Sequence, residues 1–241
     1  MHHGPSATTA FFQEFLALYP ERVDRSVVFF PPAISLAAAR AAVGERGDIR
    51  LGVQNVYWEP SGAFTGEISA PMACDAGALL VLVGHSERRH VFGESIEETV
   101  RKVRAVLDSG LDVMLCVGER IEERRAGQAE AVVFAQLDPV LRALGEGERM
   151  RLSIAYEPVW AIGTGVTATP EDARQMHAAV RARLASAWGE AAALDVPILY
   201  GGSVKPENAR EQLDQPDVDG VLVGGASLKA SDFAAICASL P

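Results

Sequence analysis

Short apolar runs alternate along the chain with longer segments in which apolar residues recur every three or four positions. The short runs predict seven strands, at 27–30, 49–54, 79–84, 112–117, 151–155, 197–200 and 220–223. The longer segments predict helices such as 96–109 and 171–188, the second with Thr169 as N-cap and Pro170 at its first position. Strands that alternate with helices are typical of a parallel sheet joined by crossover helices.

The first periodic segment, about residues 6–19, predicts a helix rather than a strand. Eight predicted helices and seven strands fit an α/β protein with the (β/α)8 or TIM-barrel architecture, except that the first strand is absent. Such a gap would leave two sheet edges exposed. No segment has the composition of an interdomain linker, so we expect one domain over 1–241.

Composition narrows the classes of function. The net charge of −10 and the absence of any Lys/Arg-rich block argue against nucleic-acid binding. No apolar run reaches the roughly 18 residues of a membrane span, and the N-terminus has no signal pattern. Three widely separated cysteines favour a reducing cytoplasm, and no metal-ligand spacing or dinucleotide fingerprint implies a metal or another cofactor.

The stretch A-Y-E-P-V-W-A-I-G-T-G, from Ala155 to Gly165, places a carboxylate, Glu157, at the end of an apolar strand. Pro158 stops the strand, and two glycines give the following loop backbone freedom. This arrangement predicts a catalytic base beneath a lid over 158–168. The alternative is a strand-end carboxylate that only aids solubility.

A second candidate, His85, follows another apolar strand in G-H-S-E-R-R, where barrel active sites are built. If Ser86 opens a short helix, the positive helix terminus would favour a neutral imidazole that can polarise a carbonyl. The alternative is a hydrogen-bonded histidine of the core.

Two glycine-rich strand ends, Y-G-G-S-V from Tyr200 and L-V-G-G-A-S from Leu222, come from successive strands. Their backbone N–H groups can approach an anion closely, and a short helix after Gly224 would add its dipole. Together they predict a phosphate cradle, although either pair alone could be a tight turn.

These motifs, together with C-V-G-E at Cys116, closely resemble the triosephosphate isomerase family in content and order, from about Met1 to the C-terminus. The resemblance implies that Glu157 takes a proton from carbon 1 of dihydroxyacetone phosphate and that His85 moves protons between the enediolate oxygens, with Glu87 beside the site. It also implies that the phosphate is bound by four residues: Gly163, Ser203, Gly224 and Gly225.

The resemblance has two further implications. The long loop after Gln54, with Thr65 near its tip, would project into a neighbouring subunit, so a homodimer is expected. Cys116 would be the family's buried cysteine beside the catalytic base.

One departure from the family concerns its first strand, which ends in G-N-W-K-M and carries an Asn and a Lys that contact the substrate. Met1 aligns with the Met of that motif, so the strand and the lysine would be missing. Either N-terminal residues are absent through a misplaced start or a truncation, which we favour, or the loss is real. Of the chain's three lysines, Lys102, Lys205 and Lys229, none matches that place; Lys205 is the nearest substitute. We therefore expect impaired isomerisation by this chain.

Two alternatives stay open from the sequence. A non-catalytic phosphate-binding barrel would explain the missing lysine but not the intact Glu157 and His85. Another barrel enzyme that acts on a sugar phosphate would explain the glycine-rich turns but not A-Y-E-P-V-W-A-I-G-T-G.

Overall fold

Seven parallel strands form one sheet in a computed structural model that describes residues 1–162 and 168–240. The strands follow one another across the sheet in chain order. They are β1 (Val27–Phe29), β2 (Ile49–Val53), β3 (Leu80–Val83), β4 (Asp112–Val117), β5 (Leu152–Tyr156), β6 (Ile198–Tyr200) and β7 (Gly220–Val221). All seven predicted strands are confirmed, with small differences at their ends.

Helices connect the strands. In the described residues they are α1 (Pro5–Leu18), α2 (Leu36–Val43), α3 (Ala70–Asp75), α4 (Ser86–His90), α5 (Ile96–Asp108), α6 (Ile121–Arg125), α7 (Ala129–Ala143), α8 (Pro170–Trp188), α9 (Glu190–Leu194), α10 (Ala209–Leu213) and α11 (Ala230–Ala238). Four 3-10 helices add Ala33–Ser35, Glu146–Arg151, Val159–Ala161 and Gly225–Leu228. The prediction of eight helices was too low, because helical periodicity does not reveal pieces of five residues such as α4, α6 and α9.

Both faces of the sheet are buried, as in a barrel. Leu82, Met114, Cys116 and Ala155 form one small cluster. Alternate residues of the same strands, such as Val83 and Leu115, belong to the larger core shared with the helices. Because the central strands are covered on both sides, they are almost continuously apolar.

The helix that follows the last strand in the chain, α11, packs against the first strand. Phe15 of α1 and Phe233 of α11 both pack on Phe29 of β1, with ring centroids 5.0 and 5.2 Å away. The Arg25 guanidinium, just before β1, donates to the carbonyl oxygen of Cys237 in α11 at 3.1 Å. The sheet therefore curls as in a TIM barrel.

The predicted gap in the barrel is also found. Within the described residues β1 pairs only with β2, and β7 pairs only with β6. Both outer strands are partly accessible, whereas β3 is buried throughout. The described residues thus form a TIM-barrel sheet of seven strands in which β1 and β7 do not pair with each other.

Two helices begin as their sequences predict. Thr169 caps α8 and exchanges hydrogen bonds with Asp172, with Pro170 at the first helical position. Ser95 and Glu98 form the same reciprocal cap at the start of α5. These caps fix the first residues of α5, which lies between β3 and β4, and of α8, which lies between β5 and β6.

Candidate active site

Glu157 lies immediately after β5, with its side chain buried among the carboxyl ends of the neighbouring strands. Its backbone N–H donates to the carbonyl oxygen of Val117 at 2.8 Å, which attaches it to β4. One carboxylate oxygen, Oε1, lies 3.0 Å from His85 Nε2, and the other, Oε2, accepts the backbone N–H of Ser86 at 3.0 Å. The structure therefore brings the two predicted proton-transfer groups into direct contact.

Two glycines make room for this carboxylate. A Cβ atom on Gly118 would lie 1.8 Å from the carbonyl oxygen of Glu157, a distance that the backbone could not accommodate. A Cβ on Gly201 would lie 2.9 Å from Glu157 Cγ. In the sequence these glycines stand out only as parts of motifs. Their contacts with Glu157 join residues that follow different strands, so they become visible only in the structure.

His85 caps α4, as expected if Ser86 opens a short helix. Its Nδ1 accepts the backbone N–H of Glu87 at 3.2 Å, and its Nε2 faces Glu157 Oε1. A neutral imidazole with its proton on Nε2 satisfies both contacts at once. A second proton, on Nδ1, would break the cap.

The electrostatic surroundings of His85 pull in the other direction. Burial lowers the pKa of His85, but the hydrogen bond to Glu157 and the charges of Glu157 and Glu87 outweigh it, so the pKa lies above its ordinary value. The hydrogen bond that Nδ1 accepts still requires an unprotonated nitrogen there, so the geometry is that of a neutral imidazole with its proton on Nε2. Glu157 is what raises the affinity of the imidazole for a proton.

Glu87, the third predicted catalytic residue, lies at the rim. Its side chain is 77% exposed, and its Oε2 lies 4.0 Å from His85 Nδ1. The Glu87 side chain therefore acts on His85 through its charge, whereas the hydrogen bond from Glu87 to His85 comes from the backbone N–H.

Cys116 is fully buried on β4 beside Glu157. Burial, followed by the nearby Glu157 charge, raises the pKa of its thiol well above the ordinary value, so the group stays neutral. Cys116 thus packs against the carboxylate as a small neutral side chain, in the place that the resemblance implies.

Glu119 is a buried carboxylate that sequence analysis missed. Its Oε1 accepts hydrogen bonds from Tyr156 Oη at 3.1 Å and Trp160 Nε1 at 2.9 Å, and Arg124 Nη1 lies 3.3 Å away. Glu119 therefore anchors the first turn after Glu157, Val159–Ala161, to the end of β4. Its place in C-V-G-E was the only signal in the sequence.

The glycine-rich turns after β6 and β7 are at the same end of the sheet, because all strands are parallel. The backbone N–H groups of Ser203 and Gly224 donate to no other described residue. A Cβ on Gly224 or Gly225 would meet nothing within 4 Å, so the protein's own packing does not require glycine there. The predicted short helix after Gly224 is present, as the 3-10 helix Gly225–Leu228.

Gly163, the remaining predicted phosphate ligand, lies outside the described residues, as does the rest of 163–167 in the predicted lid. None of the three lysines reaches the Glu157–His85 pair. Lys102 is buried against Glu94 at 2.5 Å, Lys229 pairs with Asp232 at 3.0 Å, and Lys205 is exposed.

The loop after Gln54 is folded on itself. Tyr57 stacks on Trp58 and packs on Phe64, with ring centroids 4.0 and 4.5 Å apart. Lys102 Nζ donates to Asn55 Oδ1 at 2.7 Å and so ties the loop to α5. Thr65, near the tip, is exposed.

Within 1–162 and 168–240 no group of three His, Cys, Asp or Glu side chains is arranged to hold a metal ion. Over the same residues, no helix has the length and apolar composition that crossing a membrane requires. The chemistry that the described site can perform with its own groups is acid–base transfer between a carboxylate and an imidazole.

Comparison with known proteins gives one consistent family. The sequence model described as "Triosephosphate isomerase" matches residues 1–240. The chain is 49% identical over 233 residues to a protein of Chloroflexus aurantiacus named triosephosphate isomerase, which covers 97% of this chain and 93% of that protein. Proteins of the same name from Symbiobacterium thermophilum and Marinobacter nauticus are 50% and 52% identical, covering 99% and 90% of this chain and 93% and 85% of their own lengths.

Proposed function

Because the chain belongs to the triosephosphate isomerase family, we propose that it interconverts dihydroxyacetone phosphate and D-glyceraldehyde 3-phosphate. The contact between Glu157 Oε1 and His85 Nε2, at the carboxyl end of the parallel sheet, is the observation that supports this most directly. The activity serves glycolysis and gluconeogenesis.

In this proposal Glu157 is the base that removes a proton from carbon 1. Its buried carboxylate lies 3.0 Å from the imidazole, so a substrate carbonyl must displace this contact in order to meet both groups. A positioned base contributes about 10²–10⁴-fold to such a reaction. The proton must return to the neighbouring carbon, so the same carboxylate serves both half-reactions.

His85 is the proposed electrophile. A proton next to a ketone becomes acidic only if charge on the enediolate oxygen is stabilised as it forms, which is worth about 10²–10³-fold per hydrogen-bond donor. A neutral histidine beside a helix terminus is a known feature of this family, and the cap at Nδ1 agrees with it. Glu87 would modulate the imidazole from the rim.

We assign phosphate binding to Gly163, Ser203, Gly224 and Gly225. The backbone N–H groups of Ser203 and Gly224, which donate to no other described residue, support this assignment. Since no lysine reaches the described part of the site, we expect slow turnover. We further propose that 1–241 is one domain, that the protein is cytoplasmic, and that it forms a homodimer through the loop around Thr65.

The test is a coupled assay of both directions with the purified chain, beside Glu157→Gln and His85→Gln. We expect measurable isomerisation that falls at least 10²-fold, as an order of magnitude, in each variant. A folded chain that turns over another sugar phosphate instead, or binds phosphate esters without any turnover, would contradict the proposal.

A further inference from the structure

Arg89 of α4 joins the ends of two strands that carry the site. Its Nε donates to the carbonyl oxygen of Gly84 at 2.7 Å, and its Nη2 donates to that of Cys116 at 3.1 Å. The last registered pair between β3 and β4 is Val83 with Leu115. Both accepting carbonyls therefore lie one residue beyond it, and the guanidinium continues the connection between the strands where the backbone ladder stops.

Gly84 is shaped to admit this side chain. Its φ of +72° belongs to the left-handed region, which turns the chain out of β3 toward His85. A Cβ on Gly84 would lie 2.5 Å from Arg89 Nη2 and 3.2 Å from the carbonyl oxygen of Cys116. Arg89 can therefore bridge the two carbonyls only because Gly84 has no side chain.

The two bridged residues lead directly to the reacting pair. Gly84 is bonded to His85, and Cys116 packs beside Glu157. The next residue of β4, Val117, accepts the backbone N–H of Glu157. The separation of the two strand ends therefore sets the separation of His85 and Glu157.

Arg89 and its neighbour Arg88 in α4 donate hydrogen bonds to different kinds of acceptor. Arg88 pairs with a carboxylate, with its Nε 3.1 Å from Glu94 Oε2. Arg89 pairs with no carboxylate of the described residues, and burial lowers its pKa, opposed only in part by the more distant charges of Glu94 and Glu157. A partly buried guanidinium that binds only carbonyl oxygens loses hydration free energy that no direct ion pair restores. Such an arrangement therefore costs stability.

We propose that Arg89 is a positioning residue for the isomerase reaction, holding the ends of β3 and β4 at the spacing at which His85 meets Glu157. The inference rests on the proposed function for its kinetic part. The prediction about the His85–Glu157 distance does not depend on that function, so the kinetic and the geometric predictions can fail separately. The planar fork of Arg89 suits two carbonyls, whereas a lysine ammonium can keep the charge but not the fork.

The test compares Arg89→Met and Arg89→Lys with Arg125→Met, which removes an exposed arginine of α6. In Arg89→Met we expect kcat to fall at least about tenfold with KM changed less than about twofold, because misplacement by 1 Å can cost about 10²-fold while the phosphate turns are untouched. Arg89→Lys should recover part of kcat. The control should match the parent chain.

A crystal structure of the variant supplies the readout that does not need turnover. We expect the distance from His85 Nε2 to Glu157 Oε1 in Arg89→Met to exceed the parent value of 3.0 Å by about 0.5 Å or more. An unchanged distance overturns the inference, as does an unchanged kcat in an active parent. If Arg89→Met does not fold, Arg89→Lys decides by the same two measurements. An inactive parent with a displaced pair would instead reject the proposed function alone.

Discussion

Gly118 occupies the tightest position beside the proposed base, and we predict that Gly118→Ala impairs the site itself. Because the added Cβ would lie 1.8 Å from the carbonyl oxygen of Glu157, that backbone must move, and the carboxylate moves with it. A displacement near 1 Å predicts a loss in kcat of about 10²-fold. The measurement is steady-state kinetics together with thermal unfolding.

Gly147 provides the control for that substitution. A Cβ there would meet nothing within 4 Å, and the residue has no positive φ. Gly147→Ala should therefore keep both kcat and the unfolding temperature. Equal kinetics in the two alanine variants would show that Glu157 does not depend on the space at Gly118.

The titration of His85 gives a second prediction for a single residue. Burial alone lowers its pKa, and Glu157 is the main group that reverses the shift. In Glu157→Gln the charge is gone and burial remains, so we expect the pKa of His85 to drop from above its ordinary value of about 6.5 to below it. NMR of the imidazole signals against pH measures this change.

His177 serves as the internal reference in the same spectra. It is buried, its Nδ1 lies 2.9 Å from the carbonyl oxygen of Asp217, and burial lowers its pKa. Glu157 has no part in that shift, so the titration of His177 should be the same in both proteins. A His85 pKa that stays raised in Glu157→Gln would assign the shift to another group.

Among the elements, the 3-10 turn Val159–Ala161 depends on one buried carboxylate, Glu119. We predict that Glu119→Ala destabilises the fold, because Tyr156 Oη and Trp160 Nε1 both lose the acceptor that they share. An unsatisfied buried polar group costs about 1–3 kcal/mol. The free energy of unfolding in urea should fall by about that amount or more, with Trp fluorescence as the probe.

Glu119→Gln is the matched variant, since its amide keeps one oxygen that can accept a hydrogen bond. Its loss of stability should be clearly smaller than that of Glu119→Ala. If both variants unfold at the same urea concentration, the hydrogen bonds to Glu119 do not stabilise the turn.

At this scale, sequence patterns predicted the elements that cover long stretches and missed the short ones. The apolar run before Glu157 predicts a strand at 151–155, whereas β5 is Leu152–Tyr156. Arg151 instead ends the 3-10 helix Glu146–Arg151, which has no periodic signature in the sequence. The predicted strand 220–223 shortens to Gly220–Val221, since β7 pairs only with β6 in the described residues. Local propensity does not contain such pairing information.

For the molecule as a whole, alternation of strands and helices was sufficient to predict a parallel barrel, and the predicted site residues follow four of its strands, β3, β5, β6 and β7. It predicts Glu157 and His85 at equivalent positions, just after β5 and β3, without giving their distance. Gly118 and Arg89 escaped prediction because each matters through a contact between residues far apart in sequence: 39 positions for Gly118 with Glu157 and 27 for Arg89 with Cys116. Such contacts exist only once the sheet has formed.

The surface supports one prediction about assembly. Three apolar side chains are exposed in the loop around Thr65 and in the segment just after α4: Phe64, Val91 and Phe92, by 39%, 73% and 66%. Lys102 links this loop to the segment after α4, through Asn55 and Glu94, so the three side chains belong to connected segments. We expect a homodimer to cover them, with twice the chain mass of 25.7 kDa in sedimentation equilibrium.

Substitutions on this surface should separate the subunits. Phe92→Asp would place a charge at an apolar contact that the dimer is expected to bury, which costs several kcal/mol unless the charge is paired. Thr65→Arg would place a long cation at the tip of the loop. Both variants should sediment as monomers. The matched control is Leu194→Asp, since Leu194 is 71% exposed at the end of α9, before β6 and so at the opposite end of the sheet, and its substitution should leave the dimer intact. A parent chain that is already monomeric at micromolar concentration, or a Phe92→Asp dimer as stable as the parent, would contradict assembly through this surface.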